Sequence, residues 1–210
     1  MKITDKITIT NEDNMELMSR YPDKYFDLAI VDPPYGINID SMFDGGKNSL
    51  NRIKKFNQIN WDDNIPNESY FIELKRVSKN QIIWGGNYFA NKLSNTKCWV
   101  CWDKLTMIPS MSRIELAYTT FAIHSQYVKI NSNQKNRIHI TQKPIDLYKW
   151  LLNKFGKKYD KILDTHLGSG SIAIACYDYD FDLTGCEIDK EYYDLSIKRI
   201  KNHIKQTKLF

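Results

Sequence analysis

Asp32-Pro-Pro-Tyr-Gly36 follows directly on the apolar run Asp27-Leu-Ala-Ile-Val31, and this junction limits the folds open to the chain more than any other stretch. Two prolines and a glycine continue neither strand nor helix, so a short strand must give way to a rigid loop at its C-terminal end. The pattern recurs along the chain, where short apolar runs alternate with segments of helical period. Short strands that are apolar throughout belong to a mainly parallel sheet covered on both faces.

Ile3 to Thr10 alternates apolar and polar residues and predicts a strand, and Met15 to Arg20 predicts a helical turn or two. Glu68 to Lys79 reads as a helix, Gln81 to Trp84 as a strand stopped by Gly85-Gly86, and Tyr88 to Leu93 as a short helix. Lys97 to Trp102 and Ile114 to Ile123 read as strands. Pro144 opens a helix in which Ile145, Tyr148, Leu152 and Phe155 recur at helical spacing, and Gly156 ends it. The last third reads strand 161–165, helix from Ser171, strand 182–187 and helix 189–205. Residues 37–65, with Lys47, Arg52, Lys54 and Lys55, show neither period and read as a basic loop. Gln126 to Gln142, with Lys129, Lys135 and Arg137, reads as a second. The alternation predicts an α/β fold, and 210 residues suffice for one domain with a substantial core.

The 30 Lys and Arg against 25 Asp and Glu give a net charge of +5, which suits a nucleic-acid partner without identifying one. No run approaches the roughly 18 apolar residues of a membrane span, and the N-terminal residues lack a basic-then-apolar pattern. No membrane association and a cytoplasmic location are therefore expected. Cys98, Cys101, Cys176 and Cys186 lack repeated metal-ligand spacing. Cys98 and Cys101 fall in one predicted strand, where positions three apart face opposite ways, so free thiols and no metal are expected. Trp84, Trp99, Trp102 and Trp150 read as core or sheet-covering aromatics.

Asp164-Thr-His-Leu-Gly-Ser-Gly170 joins an apolar strand to a helix, a context in which glycines let a ligand approach the backbone near a helix N-terminus. Alone, the fragment is equally a tight turn without a ligand. Glu187 ends the next strand 17 residues beyond Gly170, near the separation of an acid that grips ribose hydroxyls. Alone, Glu187 is equally a helix-start residue. Asp32-Pro-Pro-Tyr35 is more specific: a carboxylate fixed in plane beside an aromatic ring suits recognition of a flat, amino-bearing ring.

Asp32-Pro-Pro-Tyr-Gly36, His139-Ile-Thr-Gln-Lys-Pro144 and Asp164-Thr-His-Leu-Gly-Ser-Gly-Ser171, in that order, resemble the DNA amino-methyltransferases in their permuted, beta arrangement. Ile82-Ile-Trp-Gly-Gly-Asn-Tyr-Phe89, Trp102-Asp-Lys104 and Glu115-Leu-Ala-Tyr118 are similar to small phage-type members. The likeness runs from about Asp13 to Arg199. It implies a class I Rossmann-like fold in one domain, 1–210, with a catalytic half of about 1–123 before a cofactor half of about 139–210. Short target-recognition loops would lie at about 103–113 and 124–138.

The resemblance further implies S-adenosylmethionine as cofactor. Asp164 and the loop Gly168, Ser169, Gly170, Ser171 would hold its methionine part, Glu187 its ribose, and Asp13 would lie near its adenine. Thr141, Lys143 and Pro144 would flank it, with Asp32 alongside. His166 stands where many relatives carry phenylalanine, and Thr165 where they carry proline, so His166 is assigned to the cofactor side with packing as its favoured role. Asp32, Pro33, Pro34 and Tyr35 would be catalytic: the Asp32 carboxylate and Pro33 carbonyl accept hydrogen bonds from an exocyclic amine, and Tyr35 stacks on its ring. The implied substrate is double-stranded DNA with the target base flipped out. Serine in place of Asp32 is the more usual cytosine signature, so aspartate favours N6 of adenine over N4 of cytosine. The same motifs are compatible with a silent DNA-binding or partner subunit, or with a methyltransferase acting on RNA or protein. A homodimer and a cognate restriction enzyme are compatible with the family.

Overall fold

A computed structural model describes residues 1–37, 62, 64–106, 112–139 and 141–207. Lys47, Arg52, Lys54 and Lys55 of the first basic loop, and the centre of the 103–113 loop, lie outside the described residues.

Strands β1 (Ile7–Thr10), β2 (Phe26–Val31), β3 (Ser78–Trp84), β4 (Trp99–Asp103), β5 (Ile114–Thr119), β6 (Gln126–Lys129), β7 (Lys161–Asp164) and β8 (Asp182–Cys186) form one sheet. Their order is β1-β8-β7-β2-β3-β5-β4-β6. β5 is antiparallel to both its neighbours, and every other pairing is parallel. Leu28 and Ile30 of β2 pack with helices α3 (Ile145–Phe155), α4 (Ser171–Asp178) and α5 (Lys190–Thr207). Ala29 and Val31 face the other way, toward α1 (Asn14–Ser19) and α2 (Glu68–Val77). An apolar run without alternation is thus a strand buried on both sides, as the sequence implied. Each fully buried Leu or Ile contributes about 1.5–3 kcal/mol.

Three sequence expectations need correction. The first strand begins at Ile7, because the backbone N–H groups of Ile3 and Thr4 both turn back to the Ile7 carbonyl. Residues 126–129 form strand β6 inside the second expected loop: an edge strand needs only backbone pairing with β4, and just Val128 of its four side chains is buried. The expected helix at Tyr88 to Leu93 is a 3-10 turn at Gly86–Phe89, started by Gly85 in the left-handed region at φ +68°. The four cysteines are free. Cys98 lies in the core with Val100 and Trp102, whereas Cys101 faces the other side.

β2 and β7 are neighbours from which the chain winds outward in opposite directions, β7 to β8 on one side and β2 to β3 on the other. In open α/β sheets such a reversal leaves a crevice beyond the C-terminal strand ends. The loops after β1, β2, β3, β4, β6, β7 and β8, and the start of antiparallel β5, all lie at that edge.

Candidate active site

Asp32, the residue after β2, and Asp164, the last of β7, end adjacent strands although 132 residues separate them in sequence. The loop Asp32–Gly36 is fixed by groups from distant elements. Asp62 Oδ1 accepts the N–H of Tyr35 at 2.7 Å and of Gly36 at 3.1 Å. The Tyr35 ring lies across Gly85, where a Cβ would come within 2.2 Å of its Cε1, so glycine must follow β3. The ring also stacks on Tyr88, with centroids 5.1 Å apart and planes 15° from parallel.

A buried charge network surrounds Asp32. The Lys143 ammonium lies 2.6 Å from Asp32 Oδ2 and 2.7 Å from Glu115 Oε1, and its side chain is 4% exposed. Lys104 bonds the other Glu115 oxygen at 2.8 Å. The Tyr35 hydroxyl lies 2.6 Å from Asp32 Oδ1 and 2.9 Å from Glu115 Oε1, with one hydrogen for two carboxylates. Two acids and two ammonium groups balance, the condition under which buried charge is tolerated. Burial acts to neutralise Lys143, but Asp32 and Glu115 outweigh it and keep the group an ammonium. Burial likewise opposes ionisation of Glu115, yet Lys143 and Lys104 hold its carboxyl at about 2. Asp32 has one ammonium partner, and burial pushes its carboxyl upward.

The loop after β7 takes its shape from two glycines and is tied by two charged side chains. Gly168 and Gly170 have φ of +51° and +72°, but the space around them differs. A Cβ on Gly170 would stand 2.9 Å from Ile200 Cδ1, so this glycine serves the packing of α4 against α5. A Cβ on Gly168 would meet nothing nearer than His139 Cδ2 at 3.9 Å, which leaves its backbone open toward the crevice. Glu187 closes the loop from β8, accepting the N–H of Gly168 at 2.8 Å and of Asp189 at 3.0 Å. Arg199 of α5 donates to the Ser169 carbonyl at 2.7 Å and to Ser171 Oγ at 3.0 Å, and the hydroxyls of Ser169 and Ser171 lie 3.2 Å apart.

Asp164 Oδ1 accepts the His166 N–H at 2.9 Å. Burial, with Asp32 and Glu187 nearby, pushes the Asp164 carboxyl up to about 8. The His166 ring has both nitrogens engaged: Asn14 donates to Nε2 at 3.1 Å, and Thr165 Oγ1 lies 2.9 Å from Nδ1. Burial lowers this imidazole to about 4, so it is neutral. Asp13 caps α1, accepting the N–H of Met15 at 2.7 Å and of Glu16 at 3.3 Å. The segment 139–144 bridges the two loops. His139 approaches Gly168, Thr141 Oγ1 lies 3.1 Å from His139 Nδ1, Pro144 caps α3, and Lys143 reaches Asp32. The motif residues therefore gather at one edge, with Lys143 holding Asp32 directly.

The two loops expected to face a target share one root. Asp103 accepts from Arg113 at 2.9 and 2.8 Å, from the Leu105 N–H at 3.0 Å and from the Tyr127 hydroxyl at 2.9 Å. Ser132 N–H donates to the Lys104 carbonyl at 3.0 Å. Lys129 and Lys135 are exposed. Sequence reasoning gave no site role to Glu115, Lys104, Asp62 or Arg199. The one available signal was Glu115, an acid inside the otherwise apolar stretch Ile114-Glu-Leu-Ala-Tyr118. Among the described residues no cluster of His, Cys, Asp and Glu could hold a metal ion, and no helix is long and apolar enough to cross a membrane.

The sequence matches the DNA methylase family of N6 and N4 methyltransferases over residues 83–198, more than half its length. The Type II methyltransferase M2.MboI of Moraxella bovis is 26% identical across 91% of this chain and 89% of its own. Among solved structures, the M1.HpyAVI complex with S-adenosylmethionine superposes with a TM-score of 0.59 at 17% identity, covering 92% of this chain and 98% of that one. A Thermus thermophilus DNA modification methylase complexed with S-adenosyl-L-methionine gives 0.61 at 15% identity, covering 93% and 95%. The PvuII cytosine-N4-specific DNA methyltransferase gives 0.65 at 10% identity, covering 97% and 94%. With a Rossmann-like sheet whose glycine loop and Asp-Pro-Pro-Tyr loop end adjacent strands, this chain belongs to the N6/N4 DNA methylase family.

Proposed function

We propose that this protein transfers a methyl group from S-adenosylmethionine to the N6 amino group of adenine in duplex DNA. The observation that carries the reading is the convergence of Asp32-Pro-Pro-Tyr35 and the Gly168–Gly170 loop at the ends of β2 and β7. The open backbone at Gly168, beside the start of α4, fits a cofactor that must approach the main chain closely. Asp164 with Gly168, Ser169, Gly170 and Ser171 would hold its methionine part and Glu187 its ribose. Asp13 would lie by its adenine, with Thr141, Pro144 and His166 around it. Two solved structures of the same fold are complexes with S-adenosylmethionine, which supports this choice of cofactor.

When bound, the cofactor supplies an electrophilic methyl group. The protein's task is to make an aromatic amine a better nucleophile. Its lone pair delocalises into the ring. Hydrogen bonds from its two protons to the Asp32 carboxylate and the Pro33 carbonyl favour a pyramidal, available nitrogen. Pro33 and Pro34 fix those acceptors, so catalysis rests on positioning and electrostatics, with no covalent enzyme intermediate. Tyr35 supplies the stacking surface for a base extruded from the duplex. Lys129, Lys135 and the basic residues 47–55 would meet phosphates.

The test is to incubate the protein with unmethylated genomic DNA and labelled S-adenosylmethionine and to analyse the nucleosides by mass spectrometry. N6-methyladenine is the expected product. N4-methylcytosine would move the substrate to cytosine, and the absence of any methylated base would overturn the reading.

A further inference from the structure

The arrangement around Asp32 poses a difficulty for any base that binds there. Both carboxylate oxygens are already engaged, Oδ1 by the Tyr35 hydroxyl at 2.6 Å and Oδ2 by the Lys143 ammonium at 2.6 Å. Each oxygen keeps a second lone pair, but aiming one at an incoming amino group turns the carboxylate away from the donors it now holds. A buried donor that loses its acceptor is destabilising, and more so when it is charged. Glu115 removes that cost. Its Oε1 lies 2.9 Å from the same Tyr35 hydroxyl and 2.7 Å from the same Lys143 ammonium, so each donor on Asp32 already touches a second acceptor. Its Oε2 is held by Lys104 at 2.8 Å, which fixes the carboxylate with Oε1 facing both donors.

We propose that Glu115 is a positioning residue that takes over the Tyr35 hydroxyl and the Lys143 ammonium when Asp32 turns to the amino group of the target base. The inference rests on the reading of Asp32 given above. No covalent bond changes in the exchange: the single Tyr35 hydroxyl hydrogen turns from Asp32 to Glu115, and the Lys143 ammonium keeps its existing contact with Glu115 as it loosens from Asp32. Lys104 starts the loop that Asp103 ties to Arg113, so the acceptor is anchored at the root of the segment expected to face DNA.

The experiment compares wild type, Glu115→Gln and the double variant Glu115→Gln with Lys104→Gln on duplex DNA at saturating cofactor. Melting temperature and calorimetric cofactor affinity report on folding. The single variant is expected to lose about tenfold or more in kcat while binding cofactor within about twofold. The acid limb of its rate profile should move to lower pH, because the negative charge beside Asp32 is gone. The double variant restores charge balance but not the anionic acceptor, and is expected to remain slow. Wild-type kcat and an unmoved pH profile in Glu115→Gln, or full recovery in the double variant, would overturn the proposal. Should the single variant fail to fold, kcat of the charge-balanced double variant decides alone. A wild-type protein that methylates no DNA overturns the underlying function, a result distinct from an active wild type beside an undisturbed variant.

Discussion

The loops that end β2 and β7 lie side by side and are held by different means. Around Asp32 the fixing groups are side chains, mostly charged and drawn from far along the sequence: Asp62, Lys104, Glu115 and Lys143. Around Gly168 and Gly170 the shape comes from backbone conformations that favour glycine, tied by the Glu187 carboxylate and the Arg199 guanidinium. The first loop should therefore respond to changes of charge, and the second to changes of shape.

The largest effect separating them is expected at Asp32. Asp32→Ala should lower methyl transfer by at least about a hundredfold while cofactor affinity, measured by calorimetry, stays within about tenfold. Undiminished turnover would remove Asp32 from its role and erase the contrast. Gly170→Val probes shape. Its Cβ would press on Ile200 from a left-handed backbone, so a stability loss of about 2–4 kcal/mol should appear in denaturant unfolding. The crowded neighbour is Ile200 of α5 and not the crevice. Gly168→Ala, strained at φ +51° by about 1–2 kcal/mol but with open space ahead of it, should lose less stability and act more on cofactor affinity; equal stability losses at both glycines would blur the distinction.

A third effect follows from Asp164. Its folded carboxyl sits at about 8 against an ordinary 3.8, so the folded protein holds a proton that the unfolded chain releases. Stability from this group is full below about pH 4 and is lost as pH rises toward 8. Asp164→Asn should flatten that decline in melting temperature, and an unchanged slope would show that the carboxyl is already ionised. The smallest effect is expected at His166, lowered to about 4 against 6.5, where the sign reverses: its contribution is full above pH 6.5 and fades as pH falls through 4. His166→Phe keeps the edge contact with Tyr70 and should change neutral-pH stability by no more than about 1 kcal/mol while weakening the acid decline. A large loss of turnover would give this ring a chemical role beyond packing.

Much of this could be read from the chain. The prolines of Asp32-Pro-Pro-Tyr-Gly36 and the glycines of the second loop end their elements by local sterics, and the apolar run before Asp32 forms a strand wherever it is packed. β6 escaped notice because an edge strand is defined by pairing with β4 and needs no periodic apolar face. Glu115 escaped for a different reason. Its partners Lys104, Lys143, Tyr35 and Asp32 lie up to 83 residues away, and no spacing rule joins them.

The sequence alone determined the element types, the rigid loop after β2 and the motif set of the family, because each depends on neighbouring residues or on short, fixed intervals. Tertiary structure decided which donors Asp32 carries, which glycine is open to a ligand and which acid stands ready beside Asp32. Those are contacts between strands brought together by the sheet order, and a buried charge takes its partners from space.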